Sequence, residues 1–192
     1  MTVLQTPQVA DIPVIDLGPL QTPTPDPQAL EDIVAQVRKA CTDTGFFQII
    51  NHGISPSLQT QVFSESKKVF AMSREQKMAL KRDPFGNRGY EVLEGQSLDG
   101  AVEGHAYKKM QSEYSGNDLK EGYYVGKERT PDDPMLKRRF NGLNMWPPGL
   151  TEFPGVMTQY YDSMYDLAVQ IMELLALYSF CLFMHLTIDL WD

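Results

Sequence analysis

Two cysteines and three histidines are all that this 192-residue chain offers for thiol or soft-metal chemistry. Cys41 and Cys181 lie far apart and form no Cys-x-x-Cys pair, so neither a zinc site nor a disulfide scaffold has support. No Gly-x-Ser-x-Gly occurs and neither cysteine has an adjacent histidine, which removes the usual arrangements for nucleophilic catalysis. The glycine-bearing stretch "DPFGNRGY" is neither a Walker loop nor Gly-x-Gly-x-x-Gly, so phosphate cradling is unsupported. Positive charge is scarce: 17 Lys and Arg stand against 25 Asp and Glu, a net charge of −8. The basic clusters, Lys108-Lys109 and Lys137-Arg138-Arg139, are short and read as solvated surface, so nucleic acid is not an expected partner. The first twenty residues carry no basic region followed by an apolar one; no secretory leader is expected, and the setting follows as reducing and cytoplasmic.

What is present suits a folded domain. The hydrophobic fraction of 42% is enough for a buried core, and the length fits one domain, or one plus an appendage. "IPVIDL" (12–17) reads as a short, edge-type strand bounded by proline and glycine. After a proline-rich linker, Asp26-Pro27 supplies an N-cap and a first-position proline for a helix. Leu30, Ile33, Val37, Ala40 and Cys41 line its apolar face. "FFQII" (46–50) is expected to be a buried strand. Ser55-Pro56 opens a second helix with the stripe Leu58, Val62, Val69 and Phe70, and Ser73 with Gln76 forms a capping box for a short third. Residues 82–146 read as loops and short strands around "RGYEVL" and "EGYYVG". A long helix begins near Pro154, with Met157, Tyr160, Tyr161, Met164, Leu167, Ala168, Ile171, Leu174 and Leu175 as its buried face. The order β, α, β, α, α, irregular β, α places the chain in the α/β (α+β) class. The terminal stretch 174–191 is apolar on all sides, yet its uninterrupted run falls below the roughly 18 residues of a membrane span; membrane insertion is not expected.

The three histidines, His52, His105 and His185, stand in different sequence settings. His52, in "TGFFQIINHGI" (44–54), follows a strand and precedes a glycine and a helix start. It has no carboxylate at i+2 and no histidine at ligand spacing, so it reads as a turn residue bonded to backbone. Glu103 and His105 form a carboxylate–histidine pair at i, i+2, which on a strand would share a face and suit a metal. No third ligand accompanies them, so no metal site is assigned and the two remain outside candidates. His185 has Asp189 at i+4, but in an apolar, terminal segment.

Taken in order, "IPVIDLGPL", "VRKACTDTGFFQIINHGI" and "KKVFAMSREQKMAL" resemble the N-terminal region of the 2-oxoglutarate and Fe(II)-dependent oxygenases of the isopenicillin N synthase-like superfamily. "NRGYEVLEGQ", "DLKEGYYVG", "FNGLNMWP" and "YYDSMYDLAVQIMELLAL" resemble later segments of that family, in the same order. The resemblance runs from about Asp11 to Leu177 and makes Asn51-His52-Gly53 a structural segment. It implies hydroxylation or desaturation of a small molecule, in secondary metabolism. Full-length members hold Fe(II) on a His-x-Asp/Glu and a distant His within a double-stranded β-helix, leaving positions for 2-oxoglutarate and O₂. An Arg-x-Ser holds the 2-oxoglutarate carboxylate. All of these follow the long helix.

This chain contains no His-x-Asp/Glu, and "RGY", "RTP" and "RRF" are not Arg-x-Ser. No iron-ligand role carries over to His52, His105 or His185, no residue is assigned as catalytic, and no cofactor is expected to bind this chain itself. From Tyr178 the sequence departs from the family. The expected organisation is a disordered 1–10, a non-haem dioxygenase N-terminal domain over 11–150, the long helix over 151–177 and a non-family apolar tail over 178–192. The expectation is a truncated product, inactive alone, forming an incomplete portion of a double-stranded β-helix oxygenase. Arg88, Tyr90, Tyr123 and Tyr124 are its candidates for the substrate rim, although tyrosines at strand spacing serve equally in a core. The alternative is an interaction or decoy protein that pairs with itself or a full-length paralogue through the face a barrel would cover.

Overall fold

Asp26 begins the first long helix by accepting the Gln28 amide on its carboxylate, with Pro27 at the first helical position. That satisfies one of the donors every helix start leaves open. The computed structural model describes residues 11–92 and 120–178. In chain order these form β1 (Val14–Asp16), a 3-10 turn (Gly18–Leu20), α1 (Pro27–Asp43), β2 (Gln48–Ile50), α2 (Pro56–Phe70), α3 (Arg74–Met78), β3 (Gly89–Glu91), β4 (Gly122–Tyr124), a second 3-10 turn (Pro134–Lys137) and α4 (Phe153–Tyr178). They divide into two compact units, one of residues up to Ser55 and from Ser163, the other of Pro56–Asp162.

In the first unit β1 pairs in parallel with β2, Ile15 opposite Ile49. Parallel strands need a crossover, and α1 provides it, packing on β1 and the first 3-10 turn. Ile33, Val37 and Ala40 of α1 are buried, as are Ile15, Leu17 and Leu20; Cys41 is half-buried. The strand ends are tied by Asp16, whose carboxylate accepts the Gly18 amide and the Asn51 side chain, both at 2.8 Å. These two bonds, the Gly18 amide first, hold the Asp16 carboxyl below its ordinary range.

Two sequence expectations fail here. "FFQII" is not a buried strand: only Gln48–Ile50 is extended, Phe46 is 71% exposed and Ile50 is exposed too. Among the described residues β2 has one strand neighbour, β1, in a two-stranded sheet, and two strands alone offer little surface against which its apolar side chains could be buried. In α4, Met157, Leu167 and Leu174 are buried, but Met164 and Ala168 are exposed and Tyr160, Tyr161, Ile171 and Leu175 are half-buried. Helical spacing marks the apolar face; how much of it is covered depends on what packs there.

The second unit gathers around Phe153, 2% exposed, with Val69 of α2 and Met157. Tyr123 and Trp146 meet the Phe153 ring edge-on at 5.6 and 6.0 Å, the arrangement that aromatic quadrupoles favour. α3 carries the full capping box: Ser73 Oγ accepts the Gln76 amide at 3.2 Å, and Gln76 Oε1 accepts the Ser73 amide at 3.0 Å. β3 and β4 pair antiparallel, Tyr90 opposite Tyr123. Among the described residues no helix is long and apolar enough to cross a membrane. Phe153→Ala, which empties the centre of this cluster, should lower stability by about 3–5 kcal/mol in urea denaturation. A cost below about 1 kcal/mol would mean that the cluster does not hold the unit together.

Candidate functional site

The β3–β4 pair carries three of the four rim candidates, and two of them are wired in the same way. Tyr90 donates its hydroxyl to Glu121 Oε2 at 2.6 Å. Lys77 of α3 donates to the same oxygen at 2.7 Å and lies over the Tyr90 ring, 5.3 Å from its centre. Tyr124 donates to Glu91 Oε2 at 3.0 Å. Arg82 pairs with Glu91 Oε1 at 3.1 Å and lies 4.7 Å over the Tyr124 ring. Each tyrosine is thus gripped at its hydroxyl by a carboxylate and on its face by that carboxylate's cation. The Lys77 hydrogen bond, followed by that of Tyr90, holds Glu121 below the ordinary carboxylate range, and Glu121 raises Lys77 in turn.

Tyr123 belongs to the core. Its hydroxyl donates to the Met145 carbonyl, its ring meets Phe153, and burial pushes its phenol from 10.0 up to about 12.

Arg88 stands apart. It ends a tight turn in which Asp83 accepts the amides of Phe85 and Gly86 at 3.1 and 2.7 Å and the Asn87 amide reaches the Asp83 carbonyl at 2.7 Å. Gly89 follows with φ 104°, and a Cβ there would lie 2.4 Å from the Leu80 carbonyl oxygen, so only glycine serves. Arg88 Nη1 donates to the carbonyls of Asn87 at 2.9 Å and Gly86 at 3.4 Å. Its guanidinium rests on Gly126, where a Cβ would come within 2.0 Å of Nη2 and 2.3 Å of Nε. Asn144 grips Gly126 on both sides, accepting its amide at 2.9 Å and donating to its carbonyl at 2.8 Å. Burial, aided by the charge of Arg129 and opposed by Tyr161, lowers the Arg88 pKa from its ordinary value. Arg129 is itself paired with Asp133 at 2.8 Å and bonded to Asn141 at 2.9 Å.

His52 lies in the other unit, between β2 and α2, where its Nδ1 accepts the Ile54 amide at 3.3 Å. This is the turn role read from the sequence. Glu103, His105, His185 and the tail 179–192 lie outside the described residues. Among the described residues no three His, Cys, Asp or Glu side chains gather as a metal site would need, so these residues do not fit an Fe(II) centre. The partners Lys77, Arg82, Glu91, Glu121, Gly126 and Asn144 escaped the sequence reading. A signal existed: the two Gly-Tyr steps, 89–90 and 122–123, each have a glutamate within one residue.

Residues 12–149 match the family described as the non-haem dioxygenase (in morphine synthesis) N-terminal region. The 2-oxoglutarate-dependent dioxygenase citB of Monascus ruber is 37% identical over 86% of this chain and 47% of its own length. Clavatol oxidase claD of Penicillium crustosum is 34% identical over 92% of this chain and 52% of its own. Among solved structures, a full-length Neurospora crassa protein in complex with alpha-KG and thymine superposes with a TM-score of 0.66 at 26% identity, covering 86% of this chain and 47% of that one. A 2OG-Fe(II) oxygenase family protein from Caulobacter crescentus, at 16% identity, shares the fold with a TM-score of 0.66. The chain belongs to the non-haem, 2-oxoglutarate-dependent dioxygenase family through this N-terminal region. It spans about half the length of the curated relatives it matches.

Two measurements probe the wiring. The raised Tyr123 pKa means that its contribution to stability is complete below the unfolded value of 10.0 and is lost as pH rises towards about 12. Ultraviolet titration should therefore show one late phenol that Tyr123→Phe deletes; an unchanged curve would contradict its burial. For Glu121 the sign is opposite: its depressed pKa stabilises above the unfolded 4.5 and is lost as pH falls through the lower folded value. Lys77→Met should cost about 2 kcal/mol at neutral pH, a deficit that shrinks once acid protonates Glu121. A deficit independent of pH would show that packing, not the ion pair, is lost.

Proposed function

We propose that this chain is the N-terminal, non-catalytic portion of a 2-oxoglutarate- and Fe(II)-dependent oxidoreductase that hydroxylates or desaturates a small molecule, and that alone it turns nothing over. One observation carries the reading: the family match spans 12–149, while the sequence holds no His-x-Asp/Glu and no Arg-x-Ser. On this reading the portion contributes scaffold and part of the substrate rim. Arg88 is the rim residue; Tyr90, Tyr123 and Tyr124, whose hydroxyls meet protein acceptors, hold the strands behind it. A cytoplasmic setting and a place in secondary metabolism belong to the same proposal.

The exposed Val14, Phe46 and Ile50 on and beside the β1–β2 pair favour a second reading, an interaction protein that self-associates or pairs with a longer paralogue. Light scattering coupled to size exclusion separates the two, since a well-behaved monomer removes the motive for pairing. The primary test is anaerobic titration of the chain with Fe(II) and 2-oxoglutarate, followed by an assay for succinate. No charge-transfer band and no succinate are expected; a band with turnover would overturn the non-catalytic reading.

A further inference from the structure

We infer that the two adjoining loops at Phe85 and Phe140 form a docking surface for an anionic lipid bilayer. The two phenylalanine rings enter its interface, and Lys137, Arg138 and Arg139 meet its headgroups. The inference goes beyond the reading above and does not depend on it.

The loops are held rigidly together. The Phe140 amide donates to the Phe85 carbonyl at 2.8 Å, and the Gly142 amide to the Gly86 carbonyl at 2.9 Å. Gly86 and Gly142 press backbone to backbone: a Cβ on either would lie 2.8 Å from the other's Cα. Asn141 braces the same segment, accepting from Arg129 at 2.9 Å and donating to the Arg139 carbonyl at 3.0 Å. Yet the fixed loops keep their apolar side chains in water, Phe85 being 48% exposed, Phe140 56% and the nearby Leu143 41%. Phe140 also takes φ 66°, a left-handed conformation that costs a bulky residue and suits Gly or Asn. A strained backbone under an exposed ring points to a role outside the fold, and clustered apolar side chains at a surface mark a contact.

Charge selects the partner. Lys137, Arg138 and Arg139 directly precede Phe140 and are all exposed. Among the described residues none of the three forms an ion pair. The Arg139 guanidinium lies 5.2 Å over the Phe140 ring, so cation and ring are presented together. The acids of the same loops are engaged: Asp83 by the Phe85 and Gly86 amides, Asp132 by Thr130 and Asp133 by Arg129. Free cations beside exposed rings suit an interface with negative headgroups. The net charge of −8 does not forbid this, because exposed charges more than about 8 Å away are largely screened at physiological salt. An acidic peptide fits less well. The Phe140 and Gly142 amides are already used between the loops, which leaves no strand edge there for an added peptide.

The test sediments the 192-residue chain with phosphatidylcholine vesicles, prepared with and without phosphatidylserine. Binding should require phosphatidylserine and weaken as salt rises from about 0.1 to 1 M. Replacing Lys137, Arg138 and Arg139 together by Gln should weaken it about a hundredfold, roughly fivefold for each cation. Phe140→Asn keeps a residue suited to the left-handed backbone, so it should melt no lower than the parent chain while binding about tenfold more weakly. No binding, or equal binding to both vesicles, overturns the inference. So does binding that survives both variants, which would place the contact elsewhere, as in the apolar residues 178–192. Displacement of the vesicles by a soluble Glu-rich peptide would identify a peptide site instead and overturn it too.

Discussion

Burying a carboxylate demands a cation and enough donors to replace water, and in the Pro56–Asp162 unit that demand organises the strand pair. Glu91 is buried and Glu121 partly so. Each is met by one base and one tyrosine hydroxyl, and each base then covers its tyrosine's ring. The two strands are only three residues long, and an isolated two-stranded ribbon of that length is marginal in water. Two interlocked sets of cation, carboxylate and phenol supply what so short a ladder of backbone bonds lacks. Lys77 extends the hold to α3 and, through the Phe70 carbonyl at 3.2 Å, to the end of α2.

How far the sequence foretold this depends on the range of the interaction. The Asp26 cap, the Ser73–Gln76 capping box and the His52 turn are each complete within four residues, and all three could be read directly. Burial could not. Phe46 and Met164 fit apolar patterns yet face solvent, because coverage comes from neighbours distant in sequence. The site was half legible for the same reason. Arg88, Tyr90, Tyr123 and Tyr124 stood out by type, but the contacts of Tyr90 and Tyr124 span 31 and 33 residues, which no local pattern reports. Nor does a glycine in "YYVG" announce that a guanidinium will lie against it.

Tyrosine is ambiguous in such a reading because its ring and hydroxyl answer different demands. Beside a ligand the hydroxyl would be kept for that ligand. Here those of Tyr90, Tyr123 and Tyr124 reach a carboxylate, a carbonyl and a carboxylate of the protein itself. The raised pKa of Tyr123 has the same origin, since a phenol enclosed by Phe153 and Met145 cannot ionise cheaply. These groups are suited to holding shape rather than to exchanging protons with a substrate.

Arg88 gains its meaning from that rigidity. It precedes Gly89 and Tyr90, the first residues of β3, and follows a turn closed by Asp83, so the backbone on both sides of it is fixed. Gly126 lies two residues beyond Tyr124 in β4 and is clamped by Asn144. The strand pairing that the carboxylate sets secure therefore also fixes the separation between Arg88 and its glycine seat. An arginine on a loose loop would find a counter-ion by folding back onto the acidic surface of this chain. One anchored through Nη1 to the Gly86 and Asn87 carbonyls stays where the turn sets it. The compensation that two glutamates bring to Lys77 and Arg82 secures the strand pair that holds Arg88 in place.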